Sequence, residues 1–198
     1  MLQLNFNPFP ILETNRLILR RKILTDAPEL FILRTGEKTM EFIDKEKIAT
    51  VQVAREMIKS MDVQIQNNAA ITWGITLPGS APIIGSIGFW RIVKEHYRAE
   101  IGYMLHPDFW NKGFISEAMN AVIDYGFEQM KLHSIEANIN PKNLASRRVL
   151  EKQGFQQEGF FRENFYFNGK YLDTATFSLI QSYRLKTKKL HDEVNSAG

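Results

Sequence analysis

The segment from Glu100 to Ser116, Glu-Ile-Gly-Tyr-Met-Leu-His-Pro-Asp-Phe-Trp-Asn-Lys-Gly-Phe-Ile-Ser, restricts the fold more than any other part of this chain. Residues Ala99 to Leu105 predict a strand, with Glu100, Gly102 and Met104 on one face and Ala99, Ile101, Tyr103 and Leu105 on the other. His106-Pro107-Asp108 predicts a turn, and Gly113 opens a long amphipathic helix expected to run to Met130. A helix entered in this way leaves its first N–H groups unpartnered at the positive end of its dipole, where a phosphate is well held. Lys112 adds a cation nearby. A single glycine also precedes many helices that bind nothing, and the spacing here fits neither G-x-G-x-x-G nor G-x-x-x-x-G-K-[ST].

The remaining patterns supply the frame around that junction. Arg16 to Ile23 predicts a strand with Leu17 and Leu19 on one face and Arg16, Ile18 and Arg20 on the other. A helix capped by Thr25 or Asp26, with Pro28 and Glu29 in its first turn, should end near Gly36. Residues 35–50 are charged and irregular. Val51, Ala54, Ile58, Met61 and Ile65 then recur at helical spacing, predicting a helix to Gln66 with this stripe on the core. Strands follow over Ala70 to Leu77, Ile83 to Trp90 and Arg98 to Leu105, and their short connections predict an antiparallel meander. After the helix entered at Gly113 come a strand over His133 to Ile139 and a helix from Leu144 to Gln153 closed by Gly154. Last is a hairpin of Phe160 to Phe167 and Tyr171 to Ile180, turning at Asn168-Gly169.

The order β, α, α, β, β, β, α, β, α, β, β predicts an α+β fold. Its sheet is mixed, mostly antiparallel and of about seven strands, flanked by about four helices. A chain of 198 residues, 44% of them hydrophobic, fills one domain. That domain is expected over residues 12–184, after an N-terminal arm over 1–11 and before a basic tail over 185–198.

A second motif follows the first: Asn143-Leu-Ala-Ser146, then Leu150-Glu-Lys-Gln-Gly154-Phe155. Trp110-Asn111-Lys112-Gly113-Phe114-Ile115-Ser116-Glu117-Ala118 resembles the acetyl-CoA pyrophosphate loop of the GNAT N-acetyltransferases. The second motif resembles their pantetheine-side helix and its exit. Order and spacing match along about residues 12–182, and the two motifs together are far more specific than either alone. Glu13-Thr-x-Arg-Leu-x-Leu-Arg20, with Trp110, is most similar to the Rim-type acetyltransferases of ribosomal-protein N-termini.

The resemblance implies that Trp110, Asn111, Lys112, Gly113, Phe114, Ile115 and Ser116 surround the pyrophosphate of acetyl-CoA. It implies that Met104 and Leu105 pair with the pantetheine arm, that Asn143 contacts its amides, that Glu100 is the general base, and that Ser146 protonates the leaving thiolate. Each position has an alternative. Glu100 can be ion-paired with Arg98 or Arg91, and Asn143 can be an N-cap. Gly88 and Gly102 can mark a bulge. Ile115 stands where the family usually has Gly or Ala; it reads as an inward-facing core residue rather than one that crowds the phosphates.

Composition removes other classes. With no cysteine, disulfides, thiolate nucleophiles and an acetyl-cysteine intermediate are excluded. His96, His106, His133 and His191 lack ligand spacing, so no metal is expected. The net charge of +3 owes part to Arg184, Lys186, Lys188 and Lys189, read as solvated rather than nucleic-acid-binding. No leader or run of 18 apolar residues is visible, so a cytoplasmic protein without membrane attachment is the expectation. The reading is an acetyl-CoA-dependent N-acetyltransferase acting on a primary amine by direct attack in a ternary complex. Its expected acceptor is a ribosomal-protein N-terminus; the alternatives are a polyamine or aminoglycoside, or a non-catalytic CoA-binding or nucleic-acid-binding role. Monomer and homodimer both remain open.

Overall fold

Leu17 and Leu19 are fully buried while Arg16 is exposed, so strand β2 (Ile18–Arg21) lies with one face on the core. In this computed structural model, which describes residues 1–184, β2 pairs antiparallel with β1 (Leu12–Glu13) and β3 (Ile71–Thr76). The basic tail expected over 185–198 lies outside the described residues. The meander then runs β3, β4 (Gly85–Val93), β5 (Arg98–Leu105), each antiparallel to the last. β5 pairs parallel with β6 (Ser134–Ile139), β6 antiparallel with β8 (Lys170–Ile180), and β8 antiparallel with β7 (Gln156–Phe167). The described residues thus form an eight-stranded, mostly antiparallel sheet in the order β1-β2-β3-β4-β5-β6-β8-β7. The strand beyond the expected count is β1, two residues long and too short to show alternation.

The helices are α1 (Ala27–Thr35), α2 (Glu37–Met40), α3 (Val51–Gln66), α4 (Phe114–Glu128) and α5 (Leu144–Lys152). α2 interrupts a segment expected to be irregular; one helical turn has no periodicity to detect. Thr50 caps α3 by accepting from the Val53 N–H at 3.3 Å. Asp26 stands at the head of α1 but does not cap it: its carboxylate takes the Arg20 guanidinium at 2.7 and 2.8 Å and the Ile23 N–H at 2.8 Å. Ala27 and Leu30 of α1 meet Ala54 and Ile58 of α3 in a small cluster. α4 seats Ala118, Met119, Val122, Ile123 and Phe127 on the main core with Trp73, Phe89 and Phe177. Fully burying a Val, Ile, Phe or Met stabilises by about 1.5–3 kcal/mol, which anchors α4 and hence its N-terminus. Residues 1–11 also lie on this core: Phe6 is buried, and Pro10 O accepts from Trp73 Nε1 at 2.7 Å. Among the described residues no helix is long and apolar enough to cross a membrane.

Two irregularities of the sheet decide what happens at its centre. β5 and β6 pair only from Arg98–Ser134 to Glu100–Glu136, although β5 continues to Leu105 and β6 to Ile139. The two strands therefore part immediately after Glu100. A bulge in β4 between Phe89 and Arg91 takes Trp90 out of register and sets Arg91 opposite Glu100.

Candidate active site

The gap between β5 and β6 opens into a cavity of about 890 Å³, within the size range of small-molecule sites. Backbone alternation determines what β5 offers to it. The His106 N–H donates to Ile84 O at 2.8 Å in continuation of the Leu105–Gly85 register. Gly102 and Met104 are therefore committed to β4, and the backbone groups of Tyr103 and Leu105 face the gap. The Met104 side chain lines the cavity, while Leu105 is buried and contributes to both core and cavity. Trp110 Nε1 donates to Leu105 O at 2.7 Å, tying the following loop to the end of the strand.

That loop turns through two left-handed residues, Asn111 (φ 58°) and Gly113 (φ 78°). Only glycine takes this conformation without a steric cost. Gly113 heads α4 without a side chain to cap it, and the first intrahelical bond runs from the Glu117 N–H to Gly113 O at 3.0 Å. The N–H groups of Phe114, Ile115 and Ser116 are thus available to an anion. Arg16 braces the turn: it donates to Lys112 O at 3.0 Å and to Glu117 at 2.7 Å, with its guanidinium over the Phe114 ring. Trp110, Asn111, Gly113, Phe114, Ile115 and Ser116 line the cavity. Lys112 does not; its Nζ donates to Asp108 O at 2.8 Å. Ile115 packs against the main core and lines the cavity as well.

On the other side of the gap, Asn143 Oδ1 accepts from the Ser146 N–H at 2.9 Å, so Asn143 caps α5 from within the cavity lining. Ser146 is buried, and its Oγ lies 2.6 Å from the Tyr103 hydroxyl. Burial pushes the Tyr103 phenol up to about 12, against the hydrogen bond to Ser146. Tyr103 was not among the expected site residues. Its signal in the sequence, a polar tip on the core face of β5, is the same as that of an ordinary half-buried tyrosine.

Glu100 stands where the strands part. It is buried, with Arg91 Nη2 at 3.0 Å. Of the two expected ion-pair partners only Arg91 reaches it; Arg98 binds Glu136 at 2.6 Å, and Glu136 also holds Arg91 at 3.2 Å. Burial raises the Glu100 pKa above the usual carboxylate range, outweighing the hydrogen bond from Asn138 and the charge of Arg91. Glu100 also lines the cavity, and a buried carboxylate with a raised pKa is chemically able to take up a proton there. Beyond it the cavity continues under α1, α2 and α3, past Trp90, Phe42, Met57 and Met61. Among the described residues no group of three or more His, Asp or Glu could hold a metal ion.

The chain is similar to known proteins over most of its length. Residues 16–156 match the family model described as an acetyltransferase (GNAT) domain. The uncharacterized N-acetyltransferase YoaA of Bacillus subtilis (strain 168) is 38% identical over 173 residues, covering 87% of this chain and 98% of that protein. The crystal structure of an acetyltransferase (GNAT family) from Bacillus anthracis superposes with a TM-score of 0.77 at 28% identity, covering 87% of this chain and 99% of that one. The [ribosomal protein uS5]-alanine N-acetyltransferase of Escherichia coli (strain K12) is 29% identical over 115 residues, 58% of this chain and 59% of that protein.

Proposed function

This chain belongs to the GNAT acetyltransferase family and is an acetyltransferase enzyme, and we propose that it carries acetyl from acetyl-CoA to the N-terminal α-amine of a ribosomal protein. The observation that carries the mechanism is the position of Glu100, buried at the point where β5 and β6 separate. An acceptor amine arrives mostly as ammonium. Glu100 takes its proton, directly or through one water, and the freed lone pair attacks the thioester carbonyl. As the C–N bond forms, backbone N–H groups of β5 that face the gap stabilise the oxyanion. The C–S bond then breaks, the Ser146–Tyr103 hydroxyl pair protonates the departing thiolate, and the second proton of the attacking nitrogen, released as the amide forms, replaces the one the pair gave up. The free N–H groups of α4 and the loop at Gly113 fit a pyrophosphate, and the Asn143 amide fits the pantetheine arm.

The acceptor rests on two supports: the likeness to the uS5-alanine N-acetyltransferase, and the opening motif from Glu13 to Arg20. Such a reaction belongs in the cytoplasm. The test is a panel of ribosomal-protein N-terminal peptides, polyamines and aminoglycosides incubated with acetyl-CoA, read by free thiol and by mass. Acetylation of peptide α-amines is expected. Acetylated spermidine with untouched peptides would overturn the acceptor, and acetyl-CoA binding with no thiol released by any amine would reduce the site to CoA binding alone.

A further inference from the structure

At the acceptor end of the cavity stands a cation that the mechanism does not use. Arg34, in the last turn of α1, is half-buried and lines the cavity. Its Nε is shielded from solvent and has no hydrogen-bond partner, and no hydrogen bond or ion pair holds the rest of the guanidinium among the described residues. Arg148 lines the cavity too, but it is exposed, so water meets its guanidinium, and several other arginines are paired. Arg16, Arg20, Arg91, Arg98 and Arg147 each hold a carboxylate at 3.0 Å or closer.

Burial lowers the pKa of Arg34, and no neighbouring carboxylate acts against it. A buried, unpaired guanidinium is unfavourable, and its planar fork of donors matches a carboxylate. Lys38 and Lys45 line the same cavity, Lys45 with its Nζ 5.0 Å from the centre of the Trp90 ring. The cavity also holds four carboxylates. Glu100 is held by Arg91, and Asp44 accepts from Asn140 with its pKa raised by burial; Glu41 and Asp173 complete the set. One cavity thus offers a proton acceptor for an amine and cations for an anion, with Lys45 near enough to Glu100 to act on its carboxylate.

We propose that Arg34, assisted by Lys38 and Lys45, is a carboxylate subsite for the acceptor, which bears an acid group close to the amine that is acetylated. This rests on the acetyl-transfer reading of the same cavity. An acidic side chain in the first residues of a peptide supplies such a group, and so does the carboxylate of a small amino acid. A polyamine, which carries only further positive charge, is selected against.

The experiment compares matched acceptors with wild-type protein and the Arg34→Gln and Arg34→Lys variants. One pair is a peptide with Glu or Gln at positions 2 to 4; the other is an ω-amino acid and the alkylamine lacking its carboxylate. Circular dichroism and acetyl-CoA calorimetry confirm that each variant is folded and loads the donor. The acid member should show a KM lower by roughly ten- to a hundredfold, the worth of a charged hydrogen bond, at similar kcat. In Arg34→Gln that preference should collapse toward one, and Arg34→Lys should restore part of it. Equal KM values within each pair for the wild type, or a preference that survives Arg34→Gln, overturns the subsite while leaving peptide acetylation intact. Arg34-dependent turnover of the ω-amino acid with every peptide refused sustains the subsite and removes the protein acceptor.

Discussion

At the donor end of the cavity, Trp110 is tied to Leu105, Arg16 to Lys112 and Glu117, and Asn143 to Ser146, all at 3.0 Å or closer. At the acceptor end, α2 is a single turn without a side-chain cap, Arg34 Nε has no hydrogen-bond partner among the described residues, and Met57 and Met61 supply adaptable walls. The difference teaches what each end must do. A donor of constant chemistry rewards a preorganised frame, because little is then lost in ordering the site on binding. An acceptor of varied shape is better met by unsatisfied polar groups and flexible apolar ones, which find their partners in the substrate. Glu100 stands where β5 and β6 part, and in the proposed mechanism it serves the acceptor alone.

The hardest test of that division is Glu100→Gln, which keeps the shape and removes the base. Turnover should fall by roughly 10² to 10⁴ at neutral pH and recover in part at higher pH, where the free amine no longer needs a protein base. Acetyl-CoA affinity, measured by calorimetry, should hardly change; a fall as large as that in turnover would break the separation of the ends. Ile115→Ala probes the donor frame itself. A partly buried isoleucine in contact with the core should cost about 2 kcal/mol in denaturant unfolding, with no gain in acetyl-CoA affinity. Tighter binding at an unchanged Tm would mean that Ile115 crowds the phosphates instead.

Asn143→Ala should have a smaller and double effect, a loss of about 0.5–2 kcal/mol from the vacated cap together with weaker acetyl-CoA binding. The stability loss without any change in affinity would leave Asn143 as a cap and nothing more. The smallest change is expected from Arg91→Gln. Glu100 must be ionised to act, so kcat/KM rises with pH through its raised pKa. Arg91 lowers that pKa, so its removal should move the acid limb to higher pH and leave the plateau nearly intact. A limb that moves to lower pH, or not at all, would detach Arg91 from Glu100.

Much of the frame was legible because its causes are local. The stripe from Val51 to Ile65 marked α3 with both ends correct, and Gly154 (φ 87°) terminates α5 where a left-handed residue was expected. Asn168 and Gly169, both at positive φ, turn the last hairpin. The candidate site was legible as two motifs that line one cavity, because a glycine before a helix and an Asn three residues ahead of a Ser are spacings within one element.

Local sequence alone gave the order of the elements apart from β1 and α2, the helix start at Gly113 and the cap at Asn143, each depending on residues within a turn or two. Only the three-dimensional arrangement brings Tyr103 to Ser146, turns Arg91 onto Glu100 through a bulge at Trp90, parts β5 from β6 at Glu100, and leaves Arg34 Nε without a partner among the described residues. These depend on the register and relative placement of strands and helices distant in the chain. Since side chains alternate along a strand, one extra residue in β4 decides whether an arginine faces the carboxylate or the opposite side of the sheet.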